Sequence, residues 1–294
     1  MLTKPIIELH YNIEEFILNN GGIADKLRLL SAGYYDKSQL QKETLDQLGD
    51  TLNPDGGVPF NMASGNPSSV KDTAEILPLI HKYKDSHQHL VQQMIGFLVA
   101  RQKNNGGFAE TLNLNDLIED KWGTTTGREW YPVGKSITWL TGKALDTLCL
   151  FGYDDEERLK RARDFLLYSQ HEDGNWPGFK GQNISDPLST GNILPALKAI
   201  GVNSNNKVYK DGRAALLQRL KESVENELTC DMVDLHSVVP PNTKKEQDLV
   251  KNGVGLIVSS QNPDGGWRIM GAKRSDPELS SILALVVNKC SVHM

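Results

Sequence analysis

The stretch SSQNPDGGW (259–267) lies between two apolar runs near the carboxyl end of the chain, and LNPDGGV (52–58) repeats its centre. Two further copies stand between them, RQKNNGGF (101–108) and SQHEDGNW (169–176). Together they spell Gln-x-x-(Asp/Asn)-Gly-(Gly/Asn)-aromatic, with Leu52 replacing the Gln in the first copy. Each Gln copy follows an amphipathic stretch of helical period. Leu90, Met94, Phe97 and Leu98 share one face of 89–101; Leu159, Ala162, Phe165 and Leu166 share one face of 157–168; Leu249, Gly253, Leu256 and Ile257 share one face of 248–259. The turn is therefore a helix stop. Pro cannot continue the hydrogen-bond ladder, Gly accepts positive φ, and the aromatic can pack back on the helix end.

A second, more apolar helix is expected after each stop, over 70–83, 135–151, 188–200 and 279–289. The heads of these helices resemble one another: DTAEILPLI (72–80) aligns with STGNILPAL (189–197), and ISDPLS (184–189) with RSDPEL (274–279). A polar outer helix, a Gly-rich turn and an apolar inner helix make one hairpin, which cannot bury its inner face alone, so several must close around one another. The turns are about 50, 68 and 91 residues apart. The middle interval holds an insertion at 110–131, and the last has room for a degenerate hairpin between Arg213 and Lys251 with its loop at 238–245. Adding helices expected within 13–35 gives about five or six hairpins in an all-α chain. No linker divides them, so 1–294 reads as one domain.

Composition narrows the function. At 294 residues, 38% hydrophobic and 23% charged with a net charge of −5, the chain can bury a substantial core and shows no basic footprint for nucleic acid. Apolar runs such as 279–287 are interrupted by serine and too short to span a bilayer, and the first residues lack a signal-peptide core, so a cytoplasmic location is expected. Cys149, Cys230 and Cys290 form no CxxC pair and read as reduced thiols.

Gln-x-x-Asp-Gly-Gly-Trp resembles the QW-type repeat of squalene and hopene cyclases, and more broadly of the terpenoid cyclase and protein prenyltransferase superfamily. The likeness runs over about 43–290 and implies an α/α toroid, with inner helices forming a barrel around a hydrophobic cavity and outer helices surrounding it. In cyclases of the protonating type it implies Asp-x-Asp-Asp-Thr-Ala at the head of one inner helix, whose middle Asp is held protonated to give its proton to an alkene or epoxide. Here Asp72-Thr73-Ala74 matches the tail of that motif, with Ser69 at its first position and Lys71 at the middle one. Asp186 matches the first position of a second copy, where Leu188 and Ser189 replace the next two carboxylates, and Glu278 stands at the acid position of a third. Asp72, Asp186 and Glu278 are thus the acid candidates, and no copy keeps the whole motif. Asp186 and Asp276 also precede Pro at helix starts, where Asp makes a good cap.

The prenyltransferase branch implies a zinc bound by Asp, Cys and His. Cys230, Asp231, Asp234 and His236 supply those atom types without the family's separated spacing, and read better as a loop between hairpins. The acidic run Asp154 to Glu157 begins an outer helix, which favours capping over a magnesium site. Neither metal nor cofactor is expected.

The richest lining is GREWYPVGKSITW (127–139), which brings Arg128, Glu129, Trp130, Tyr131, Lys135 and Trp139 to the start of an inner helix. In the cavity that the resemblance implies, aromatic faces would stabilise carbocations, and Arg128 and Lys135 could hold a diphosphate or carboxylate. The same residues also suit core packing and solvated charges. Trp176 and Trp267 belong to the repeated turn and are expected to pack rather than to bind. The resemblance implies an enzyme of terpene cyclase type acting on a hydrophobic prenyl or terpenoid substrate by acid-initiated cyclisation, with peripheral membrane contact for substrate uptake. Two other readings remain open: a non-catalytic toroid that binds or scaffolds, and a polysaccharide lyase, which would need an open cleft with Arg, Lys and Tyr.

Overall fold

The structure, a computed structural model, describes residues 7–34, 38–124 and 129–294. In chain order the helices are α1 (Ile13–Asn20), α2 (Ile23–Ser31), α3 (Ser38–Thr51), α4 (Val70–Ile76), α5 (Gln88–Ala100), α6 (Asn115–Trp122), α7 (Thr138–Leu150), α8 (Glu156–Leu167), α9 (Pro187–Ala199), α10 (Lys207–Glu225), α11 (Lys244–Ser259) and α12 (Pro277–Ser291). A short ribbon pairs β1 (Trp176–Pro177) antiparallel with β2 (Ser185–Asp186). The chain divides into two compact units, Thr51–Leu216 and Met1–Asp50 with Leu217–Met294.

Local chemistry sets the helix ends. The helix expected over 70–83 changes character at Ile76 and continues as the 3-10 helix Leu77–Tyr83, because Pro78 has no N–H to give to an α-helical ladder. Helix α7 starts at Thr138, later than the expected 135, because Ile137 bridges in extended form to Phe108 and Phe179. Asp186 and Asp276 cap α9 and α12 by accepting the N–H groups of Leu188 and Leu279 at 3.1 and 2.8 Å. Asp155 caps α8 in the same way, accepting the Arg158 N–H at 3.0 Å.

The four turns are built alike. Asp55, Asn105, Asp173 and Asp264 accept the backbone N–H two residues on, from Gly57, Gly107, Asn175 and Gly266, at 3.1, 3.1, 2.9 and 3.0 Å. Gln102, Gln170 and Gln261 donate from Nε2 to the carbonyl of the turn glycine and to a second carbonyl: Arg158 in α8, Val208 in α10 and, for the last copy, Tyr11 just before α1. Thr73, Thr141 and Ser280, inside the inner helices, accept the N–H of Val58, Phe108 and Trp267. The buried Trp176 and Trp267 return their indole N–H groups to Leu166 and Ile257, on the helices they terminate, at 2.7 Å each. Each such bond nets only about 1 kcal/mol. The repeat acts by joining three segments at once: the helix that ends, the outer segment beside it, and the head of the inner helix.

In Thr51–Leu216 the inner helices α4, α7 and α9 pack in that order, with α5 outside α4 and α8 outside α7. In the other unit α12 packs between α2 and the 3-10 helix Thr229–Val238, with α1 and α11 against it. The degenerate hairpin expected between Arg213 and Lys251 has that 3-10 helix as its inner arm, tied to α10 by the Arg219–Asp234 ion pair. No helix among the described residues is long and apolar enough to cross a membrane.

Candidate functional site

Within Thr51–Leu216 a pocket of about 370 Å³ is walled by four segments. Helix α4 contributes Lys71 and Glu75, α7 contributes Trp139, α9 with its cap contributes Asp186, Leu188 and Asn192, and the end of the insertion contributes Trp130. The i, i+4 spacing puts Lys71 above Glu75 and Leu188 above Asn192 on their helices. Trp130 and Leu188 are 38% and 54% exposed, which leaves the pocket with an apolar mouth.

Behind Trp130 lies an aromatic cluster. Trp130 stacks on Tyr131 with ring centres 5.4 Å apart, Trp122 meets both edge-on at 5.5 and 5.4 Å, and Trp139 tilts against both at 6.2 and 5.2 Å. The Trp139 indole N–H is donated to the Trp130 carbonyl at 3.0 Å, which fixes the two rings relative to each other.

The cluster is anchored by Glu110, which is buried at the head of α4. Its carboxyl accepts from Val70 N at 2.7 Å, Lys71 N at 2.8 Å, Ser69 Oγ at 3.0 Å and the Tyr131 hydroxyl at 2.6 Å. Burial pushes the Glu110 carboxyl above the ordinary carboxylate range, against the lowering effect of these donors. Burial, with Glu110 alongside, also pushes the Tyr131 phenol well above its usual value. Both ends of the insertion thus close on one helix amino terminus.

At the charged side of the pocket, Lys71 reaches Asp72 and Glu75 at 3.1 Å each, and Lys143 reaches Glu75 at 3.0 Å. Asp72 is buried, accepts the Asn61 N–H at 3.0 Å through its other oxygen, and does not line the pocket. Asp186 does line it, while accepting the Leu188 N–H and, at 2.7 Å, the Ser189 hydroxyl. Glu278 belongs to the other unit, where its half-exposed carboxyl lies 3.9 Å from Arg28. Glu129 is exposed, and Lys135 is exposed with its ammonium 4.5 Å over the ring of Phe179; neither lines the pocket. Tyr131 is buried behind Trp130. Arg128 lies outside the described residues.

Of the residues singled out from the sequence, Trp130, Trp139 and Asp186 line this pocket; Lys71, Glu75, Leu188 and Asn192 line it too and were not among them, although the i, i+4 spacing from Lys71 and within α9 was a usable signal. Of the residues weighed for zinc, Asp231 accepts the Ser223 hydroxyl at 2.7 Å, Asp234 pairs with Arg219, and His236 Nδ1 lies 2.9 Å from the Val233 carbonyl. Among the described residues no group of three His, Cys, Asp or Glu side chains is placed to hold a metal. A wider cleft of about 720 Å³ in the same unit runs past Asn53–Asp55, Arg101–Lys103 and Ala109–Asn113, and contains none of the predicted site residues.

The family model of the squalene-hopene cyclase C-terminal domain matches residues 46–223, more than half of the chain and three of its four turns. The chain belongs to that family. The squalene–hopene cyclase of Alicyclobacillus acidocaldarius is 26% identical over 236 residues, which is 72% of this chain and 37% of that protein. Among solved structures, the type II terpene cyclase MstE from Scytonema superposes with a TM-score of 0.64 at 16% identity, covering 92% of this chain and 87% of its own. The ent-copalyl diphosphate synthase from Streptomyces platensis does so with a TM-score of 0.57 at 16% identity, covering 96% of this chain and 50% of its own. The family member described here is therefore an all-α protein of the α/α-toroid class, and it spans little more than a third of its Alicyclobacillus relative.

Proposed function

We propose that this family member is terpenoid cyclase-like in what it takes up: a prenyl or terpenoid chain, held in the pocket between Trp130, Trp139 and Leu188. The observation that carries this reading is the pocket itself, a cavity of about 370 Å³ with indole walls, an apolar mouth and one charged side. Its volume suits a small isoprenoid. The Scytonema cyclase has been captured with geranylgeranyl dihydroxybenzoate as substrate and merosterolic acid A as product, which supports a prenylated ligand here. Walls of indole and leucine do not suit the Arg, Lys and Tyr cleft of a polysaccharide lyase.

Two chemistries can follow uptake. In the first, the protein binds the chain without cyclising it. Lys71 stands at the position of the proton donor, and an ammonium bridged to Asp72 and Glu75 is no acid for an alkene. In the second, Asp186 acts as the acid, favoured over Asp72 and Glu278 because it lines the pocket. Its carboxyl would pass a proton to a terminal alkene, forming a C–H bond and a tertiary cation. Ring closure would follow under the faces of Trp130 and Trp139, and loss of a proton would restore the balance. Because Lys71 stands in place of the proton donor, binding without turnover is the stronger reading.

Incubation of the full chain with squalene, farnesol and geranylgeranyl diphosphate separates these readings. Tryptophan fluorescence should report micromolar binding of at least one chain, weakened at least tenfold by Leu188→Arg, a change at an exposed wall. Product analysis should find no cyclised product. A product that disappears in Asp186→Asn would establish the acid reading instead, and absence of binding, or binding indifferent to Leu188→Arg, would overturn the proposal.

A further inference from the structure

The charges around the pocket do not cancel. Of its lining residues among those described, Lys71 is set against Glu75 and Asp186, one cation against two carboxylates. Lys71 is engaged: it bridges Asp72 and Glu75, and Lys143 takes the other oxygen of Glu75. Asp186 is different. Its partners are the Leu188 N–H and the Ser189 hydroxyl, and among the described residues no Lys, Arg or His pairs with it. The pocket therefore presents, beside two tryptophans, a carboxylate that no cation among the described residues pairs with.

Those tryptophans add to the same field. The Trp139 N–H is already donated to the Trp130 carbonyl, so what Trp139 offers a ligand is its ring, whose face carries negative quadrupole density. A carboxylate with indole faces is the combination that recognises an organic cation, and desolvation strengthens the attraction. The half-exposed Leu188 and Trp130 give an apolar chain its way out.

We infer that the ligand of this pocket is an amphiphile with a positively charged head, an amine or quaternary ammonium on a prenyl or alkyl tail, with Asp186 as the residue that selects the charge. This rests on the reading of the pocket as a prenyl-chain site and adds the chemical class of the head. In place of a transient carbocation, the site holds a permanent cation.

The test is calorimetric titration of the full chain with farnesyltrimethylammonium, farnesol and farnesyl phosphate, matched in tail, and with dodecyltrimethylammonium, matched in head, all below their critical micelle concentrations. The ammonium should bind at least tenfold more tightly than farnesol, and the phosphate most weakly. Asp186→Asn, which preserves the helix cap, should abolish the preference for the ammonium over farnesol. Farnesol or the phosphate binding as tightly as the ammonium, or a preference that survives Asp186→Asn, would overturn the inference. If both ammonium probes bind and farnesol does not, the prenyl reading falls while the cation reading stands. If farnesol binds and the ammonium gains nothing, the reverse holds. If no probe binds, both fall.

Discussion

A Gly106→Ala chain is expected to melt roughly 10 °C below the wild type, a loss of ~3–5 kcal/mol. Gly106 has φ +88°, where an alanine is strained by about 1–2 kcal/mol, and a Cβ there would lie 2.1 Å from the Arg161 carbonyl oxygen of α8. That neighbour is helix backbone and cannot swing away. The same approach recurs at Gly56, Gly174 and Gly265, whose added Cβ atoms would lie 2.4, 2.6 and 2.4 Å from the carbonyl oxygens of Gln93, Asp211 and Asn12. The turn glycines are thus the contact points of neighbouring hairpins. Two controls separate strain from collision. Gly201→Ala, at φ +79° with nothing within 4 Å, should cost about 1 kcal/mol, and Gly96→Ala, exposed within α5, should gain about 0.5–1 kcal/mol. Thermal melts that place Gly106→Ala level with Gly201→Ala would show that the turns do not hold the hairpins together in this way.

The second large effect is expected at Glu110. Glu110→Ala removes the acceptor of two backbone N–H groups and two hydroxyls that are shut away from water, and should cost about 3–5 kcal/mol. Tyr131→Phe removes one of those bonds and should cost about 1 kcal/mol. Because Tyr131 carries Trp130 on its ring, the Glu110→Ala chain should also lose the pocket wall, seen as a red shift in tryptophan emission and loss of farnesol binding. Denaturant titration showing less than about 1 kcal/mol for Glu110→Ala would mean that the insertion is anchored elsewhere.

The fold was legible because its signal is repeated. Gln102, Gln170 and Gln261 do the same work at three places, so the turn stood out against loops with no echo. The break at Pro78 was equally written in the chain, although the apolar run of Leu77, Leu79 and Ile80 continues past it. The site was half legible. Trp130, Trp139 and Asp186 announced themselves by residue type and by position at a helix head. Glu75 and Asn192 look like ordinary polar residues of helices until a wall from another segment faces them. Glu110 was visible only as the edge of the insertion. Its role depends on the head of α4, forty residues earlier, and no local pattern encodes that meeting.

We place the prenyl chain in the pocket formed by α4, α7, α9 and Trp130, and photolabelling of the full chain with a farnesyl diazirine, followed by peptide mapping, checks this. Labels should concentrate on Trp130, Trp139, Leu188 and Asn192 and be displaced by excess farnesol. Displaceable labelling confined to the 53–55 and 109–113 cleft, or labelling that farnesol does not displace, would contradict it.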